Sequence, residues 1–294
     1  MTNVIKIIRT KKWQNTNELP NINIIKNIAE RSGYSWQEKE GGFIKFKFVG
    51  APVVYITDTP NVKFACMADL HISSKFTDEG LLRKALDMAL KEEVEYIFIA
   101  GDLFDGIDIY KQHYKDVISQ NSYDQAVRLF NIFKDYKFKY IAISGNHDLS
   151  FEIKNQKNPI KHLEALLHEN NIFFKYIPSF VATLLVSDFA IKIVHIDSSF
   201  YKKNSEPCMN YFSQITLNRT QQYTFKGKEY PLKVVIVGHM HYNFNEIYIH
   251  HSKKIFILQP GSIKNDNRNR NDDNCCGYIC HYSRKKRFNI TSIK

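Results

Sequence analysis

The chain is poor in cysteine and tryptophan, with 5 and 2 in 294 residues. Cys66, Cys208, Cys275, Cys276 and Cys280 are too few and too irregularly spaced to staple a disulfide scaffold. The fold must therefore rest on a core, and the thiols suit a reducing cytoplasm. The run CCGYIC gathers three of them, but with only His281 alongside it lacks the four regularly spaced ligands of a zinc clip. No stretch approaches the roughly 18 consecutive apolar residues of a membrane helix, so no membrane partner is expected. The opening MTNVIKIIRTKKWQ has no apolar h-region and no small-residue cleavage site, which argues against a secretory leader. Acid is short as well: 30 Asp and Glu stand against 41 Lys and Arg, a formal +11. Residues 1–62 carry +4 and residues 264–294 carry +5, while 63–263 carry only +2. Basic ends around a near-neutral body suit a polyanionic partner.

Hydrophobic residues make up 44% and charged residues 24%, as in an ordinary globular protein. The length suits one large α/β domain with a small appendage. Residues 20–38 read as a helix, with Ile22, Ile25, Ile28 and Ala29 on one face and Ser32-Gly33 as a stop. Two strand patterns follow, FIKFKFV after Gly41-Gly42 and VVYIT before Asp58-Thr-Pro60. Residues 1–61 thus form a candidate α-β-β module, and 62–294 the main domain.

The main domain repeats one theme. An apolar, β-branched run ends abruptly in Asp, His, Asn or Gly. VKFACMA leads to Asp69 and His71, YIFIA to Asp102 and Asp105, and YIAIS to Asn146, His147 and Asp148. IKIV leads to His195, VVIV to His239 and His241, and IFIL to Gln259-Pro-Gly261-Ser262. Helical patterns at 78–93, 122–135 and 159–170 lie between the earlier runs. Apolar strands alternating with helices predict a mixed or parallel sheet covered on both faces. Chemistry then belongs at the carboxyl ends of the strands. The stretch 199–231 is a candidate loop or cap over them. GYICHYS and RFNITSI flank the basic tip Arg284-Lys285-Lys286-Arg287 as a closing hairpin.

Asp69, His71, Asp102, Asn146, His147, His195, His239 and His241 therefore sit at the ends of five separate runs. Asp69/His71 and His239/His241 are spaced i, i+2, and in extended chain such side chains point the same way. Each pair can then grip one centre. Carboxylate, imidazole and amide together suit Mn²⁺, Fe²⁺ or Zn²⁺ better than Mg²⁺ or Ca²⁺. The ligands are too many for one tetrahedral zinc, so two ions about 3.5–4 Å apart fit better.

The order D-x-H, G-D-x-x-D, G-N-H-D, H, G-H-x-H resembles the calcineurin-like metallophosphoesterase superfamily over roughly residues 63–262. The implied fold is an α/β (α+β) sandwich: two mixed β-sheets packed face to face and flanked by helices, with the α-β-β appendage. The resemblance implies that Asp69, His71 and His241 hold one metal and that Asn146, His195 and His239 hold the other. It implies that Asp102 bridges them, and that a metal-bridging hydroxide attacks phosphorus in line. His147 is implied to contact a phosphate oxygen or protonate the leaving group, with Asp105 orienting its ring.

Gly-Asp-Leu-Phe-Asp together with Pro-Gly-Ser after Gly-His-x-His resembles the double-strand-break repair exonuclease branch. That branch implies a nuclease, DNA before RNA as partner, and a homodimer. The chain ends soon after Pro-Gly-Ser, where repair nucleases carry a further DNA-capping domain. The N-terminal pattern resembles a HicA-like, double-stranded-RNA-binding-like module without that family's histidine. Lys45, Lys47, Arg284, Lys285, Lys286 and Arg287 are accordingly candidate phosphate contacts. The alternatives are a small-substrate phosphatase or cyclic nucleotide phosphodiesterase, and a non-catalytic binding scaffold.

Overall fold

The computed structural model describes residues 26, 29–31, 33–39, 43–48, 50–195, 222–241, 243–250, 253–265, 276–283 and 286–293. Two mixed sheets form the body. The first has β4 (Asn61–Met67), β5 (Tyr96–Ile99), β6 (Lys139–Ile143) and β7 (Phe174–Ile177) in parallel. β14 (Gly277–Ser283) runs antiparallel to β4, and β15 (Lys286–Ile293) antiparallel to β14. The second sheet runs β12 (Phe244–His250), β13 (Lys253–Gln259), β11 (Lys228–Gly238), β9 (Phe189–His195), β8 (Val181–Val186), β3 (Val53–Thr57). β10 (Gln222–Phe225) pairs with β11, so residues 222–231 of the expected cap are a hairpin. β11 is parallel to both β9 and β13.

The runs that looked apolar throughout are the strands buried on both faces. Phe64, Cys66, Phe98, Ile141 and Ile143 pack against Leu184, Ile191, Ile193, Val234 and Ile236 between the sheets. Ala65, Met67, Ile97, Ile99 and Ala142 point the other way. They pack under α1 (Glu79–Lys91), α2 (Ser122–Phe133) and α4 (Pro159–Glu169). Asp78, Asn121 and Asn158 cap these three helices with side-chain acceptors, which is why they start where the sequence reading placed them. Cys276 and Cys280 are buried, unbridged thiols of the closing hairpin region. No described helix is long and apolar enough to cross a membrane.

The N-terminal part differs from expectation. Residues 34–38, inside the expected helix 20–38, belong instead to β1 (Tyr34–Lys39), paired antiparallel with β2 (Phe43–Phe48). The expected third element, Val53–Thr57, is the edge strand β3 of the main sheet, parallel to β8. Residues 20–25 of the expected helix lie outside the described residues.

One strand position carries a penalty. Along β9, Ile191 and Ile193 face the sandwich interior, while Ala190 and Val194 join the apolar cluster on the outer face. Lys192 alternates onto that outer face, and burial pushes its ammonium down to about 8. The unfolded chain, at the ordinary 10.5, binds more protons between pH 8 and 10.5. Stability therefore climbs across that window, and the full cost of the charge persists below pH 8. Lys192→Met should raise the melting temperature at pH 7 by roughly 3–8 °C. Thermal melts at pH 7 and 10.5 check this, since the gain should shrink at the higher pH.

Candidate metal centre

β4 hands over to Asp69 and His71, β5 to Asp102 and Asp105, and β6 to Asn146 and His147 at the start of α3 (Asn146–Ile153). In the facing sheet β9 ends on His195, and β11 leads into His239 and His241. Strand geometry stops just before the functional side chains. Asp69 (φ 54°), His71 (45°), Asp102 (51°), His239 (90°) and His241 (64°) all lie in the left-handed region. Such backbone costs about 1–3 kcal/mol per residue and is held only where the surroundings over-determine it.

This turn corrects the extended-chain expectation for one pair. Asp69 and His71 do share a group, completed by His241, but His239 turns away to join Asp102 and His195. In the first group His71 Nε2 and His241 Nε2 are 2.9 Å apart. In the second, His195 Nε2 is 3.2 Å from Asp102 Oδ2 and 3.0 Å from Asn146 Oδ1. His239 Nδ1 is also 3.0 Å from Asn146 Oδ1. Asp102 lies between the groups, with Oδ2 3.9 Å from His71 Nε2.

The glycines of these motifs make room for this carboxylate and its neighbours. A Cβ on Gly145 would lie 2.0 Å from Asp102 Oδ1, and one on Gly101, at φ +82°, would lie 2.5 Å from His195 Nδ1.

Whether metal fits can be judged from unmet bonding. Asp102 Oδ2 and His71 Nδ1 are buried without a hydrogen-bond partner. A buried carboxylate oxygen left bare is costly, so its position between two nitrogen-rich groups fits a cation on either side. His195 Nδ1 donates to Ala100 O at 2.8 Å, which leaves Nε2 as the metal-facing atom. Burial and the neighbouring His147 push His71 down to about 3, so it is the neutral imidazole a metal needs. Burial opposes charge on His195 too, but Asp102 and Asp69 overcome it and push the ring up to about 10. Burial pushes Asp69 up to about 6 against the pull of His241 and His195. Loading the site with metal therefore displaces protons.

The family description calcineurin-like phosphoesterase matches residues 62–243. The chain belongs to this family.

Over 163 residues the chain is 28% identical to the DNA polymerase II small subunit of Methanothermobacter thermautotrophicus, covering 48% of the chain and 34% of that protein. Over 95 residues it is 37% identical to the DNA polymerase II small subunit of Pyrococcus horikoshii, covering 28% and 15%. The chain thus spans about a third or less of these relatives' length. Vacuolar protein sorting 29 from Cryptosporidium parvum superposes with a TM-score of 0.39 at 14% identity, over 79% of this chain and 96% of that one.

His147 and Asp105 are arranged differently from expectation. The backbone carbonyl of Asp105 accepts from His147 Nδ1 at 2.5 Å, while the carboxylate is 4.0 Å away. That carboxylate instead takes Lys264 Nζ at 2.7 Å and His113 Nε2 at 3.1 Å, and lies 3.4 Å from His71 Nδ1. Burial opposes its charge, but His113, His71 and Lys264 hold it far below the usual carboxylate range. The sequence reading did not include His113 or Lys264 in the site. His113 follows no strand, and Lys264 comes just after the last motif. Asp148 accepts from the Gly145 and Phe104 N–H groups at 2.8 and 3.1 Å, tying the two motif loops together.

Arg31 is a further residue the sequence reading did not include. It is buried, and its guanidinium donates to Ser144 Oγ at 2.8 Å, Tyr176 OH at 3.0 Å and Glu152 Oε2 at 2.5 Å. Ser144 directly precedes the Gly145–His147 loop. Arg31→Met should leave this polar cluster without its donor and cost about 3 kcal/mol. Urea unfolding measures that loss, and Arg31→Lys should recover part of it.

The side chains of Lys45, Lys47 and Arg284 to Arg287 lie outside the described residues. Ser283 pairs with Asn61, at the start of β4, and Asp69 follows the other end of that strand. At 3.3 Å per residue, Ser283 lies roughly 25 Å along the strands from Asp69.

Proposed function

We propose that this phosphoesterase is a nuclease, hydrolysing phosphodiester bonds of nucleic acid with two divalent ions. The observation that carries the proposal is the buried, unbonded Asp102 Oδ2 between two histidine-rich groups. Asp69, His71 and His241 would hold one ion and Asn146, His195 and His239 the other, with the Asp102 carboxylate placed between the two sets. Two such ions, when bound, supply Lewis acidity and a water of lowered pKa. The mixture of carboxylate, imidazole and amide favours Mn²⁺, with Fe²⁺ or Zn²⁺ next.

The chain's own residues set the rest. The Asp102 C=O fixes the β5 loop against His71 by accepting the His71 N–H at 3.0 Å. Asp69 anchors the β11 loop by accepting the His239 N–H at 2.8 Å. His147 gives its Nδ1 proton to Asp105 O, so Nε2 is the atom that holds or delivers a proton at the leaving oxygen. Nucleic acid as substrate draws support from the +11 charge, the repair-exonuclease-like motif order and the polymerase-subunit names of the relatives. The unbridged thiols suit work in the cytoplasm.

The test is direct. Purified protein with Mn²⁺ meets labelled single- and double-stranded DNA, RNA and cyclic nucleotides in parallel. Shortened polymers are expected. Intact polymers with turnover of cyclic nucleotides or bis-p-nitrophenyl phosphate would replace the nuclease with a small-substrate phosphodiesterase.

A further inference from the structure

Phe76, Tyr110, Tyr114 and Ile118 are large apolar side chains left 46–54% exposed. They fall on two segments that leave the metal centre, one following His71 and the other following Asp105. An antiparallel bridge between Ser74 and Val117 joins the segments. Lys75 N–H donates to Asp116 O at 2.8 Å, and Ile118 N–H to Ser73 O at 2.7 Å. The result is one hydrogen-bonded lip, pinned beneath by Asn265 N–H on Phe76 O at 2.8 Å.

The lip reaches the reacting atoms through rings. Tyr110 packs on His113 at 4.5 Å between centroids, and His113 lies edge-on to His147 at 6.1 Å. Lys75, Lys111 and Lys115 lie among its rings. Lys75 donates to Lys115 O and Lys115 to Gln112 Oε1, both neutral acceptors. The local acids are engaged: Asp78 caps α1, Asp108 pairs with Lys154, and Asp116 accepts from Tyr110 OH.

We infer that this lip is a platform for single-stranded nucleic acid. Unpaired bases stack on Phe76 and Tyr114 while Lys75, Lys111 and Lys115 follow the backbone phosphates toward His147. Exposed rings interleaved with lysines are the chemistry that binds single strands with little regard to sequence. Bases within a duplex have no free face to offer. The inference rests on the nucleic-acid reading above and names the form of that substrate.

The experiment uses the full chain and fluorescent 12-nucleotide single-stranded DNA, single-stranded RNA and blunt duplex. Anisotropy is read both with Mn²⁺ on ice and in EDTA. The single strands should bind at least tenfold tighter than the duplex, and the DNA and RNA arms show which one is preferred. Phe76→Ala with Tyr114→Ala should weaken strand binding by roughly tenfold per ring or more. Turnover of bis-p-nitrophenyl phosphate should be unchanged. Phe76→Tyr with Tyr114→Phe keeps the rings and should bind as wild type, which separates stacking from misfolding. Unaltered binding by the double alanine variant overturns the platform, as does duplex binding as tight as single-strand binding. Strand binding without any turnover leaves the platform standing and defeats the nuclease reading. Turnover of bis-p-nitrophenyl phosphate without strand binding defeats the platform and leaves the metal centre.

Discussion

Asp102→Ala should abolish turnover and lower bound metal from two ions per chain to one or none. Asp102 is placed between both histidine groups, its Oδ2 3.2 Å from His195 Nε2 and 3.9 Å from His71 Nε2 but without a hydrogen bond. Removing it takes away the shared negative charge that lets two cations sit close together. The loss in kcat/KM should be on the order of 10³-fold or more. Asp102→Asn keeps the volume and the Oδ1 acceptor for His147 N–H. It should be nearly as damaging, because charge and not shape is what the ions need. Metal content and steady-state kinetics on the same samples check both variants. Two retained ions with intact turnover would remove Asp102 from the centre.

His147→Ala should behave in the opposite way, keeping both ions and losing turnover by about 10²–10⁴-fold. Its imidazole is held through Nδ1 by a backbone carbonyl and meets His71 edge-on at 4.5 Å between ring centroids, a packing contact and not a hydrogen bond. Leaving groups of lower pKa should lose less, since they need less protonation. Comparing phosphodiesters with nitrophenolate and alkoxide leaving groups reads this directly. Asp105→Asn should give a different signature, a metal affinity reduced about 10–100-fold. Its carboxylate takes His113 and Lys264 and lies 3.4 Å from His71 Nδ1, against 4.0 Å from His147 Nδ1, which bonds the backbone carbonyl instead. Equal effects of these two substitutions would contradict the separation of roles.

How far the sequence reveals this centre depends on locality. Runs such as YIFIA and YIAIS stop sharply because both strand faces are buried and the chain must then turn, so the residues just beyond them stand out. The apportionment of His239 and His241 between groups does not follow from spacing. It depends on left-handed backbone that no i, i+2 rule encodes. YSWQEK carries helix formers and polar residues, so its pairing with FIKFKF is legible only from its partner. The edge strand VVYIT finds its neighbour more than a hundred residues away, and that pairing carries no local mark. Arg31 and Lys264 are invisible for a shared reason. Each is a polar residue in an unremarkable stretch whose role comes from a partner distant along the chain. His113 meets Asp105 only eight residues away, but it follows no strand and so carries no local mark.

The most direct test is a metal count. Protein saturated with Mn²⁺ and freed of excess by gel filtration is measured by elemental analysis against chain concentration. The account predicts two ions per chain, falling together with activity when any one of Asp69, His71, Asp102, Asn146, His195, His239 or His241 is replaced. At most one ion under saturating supply, or two ions that survive loss of Asp102, would contradict it.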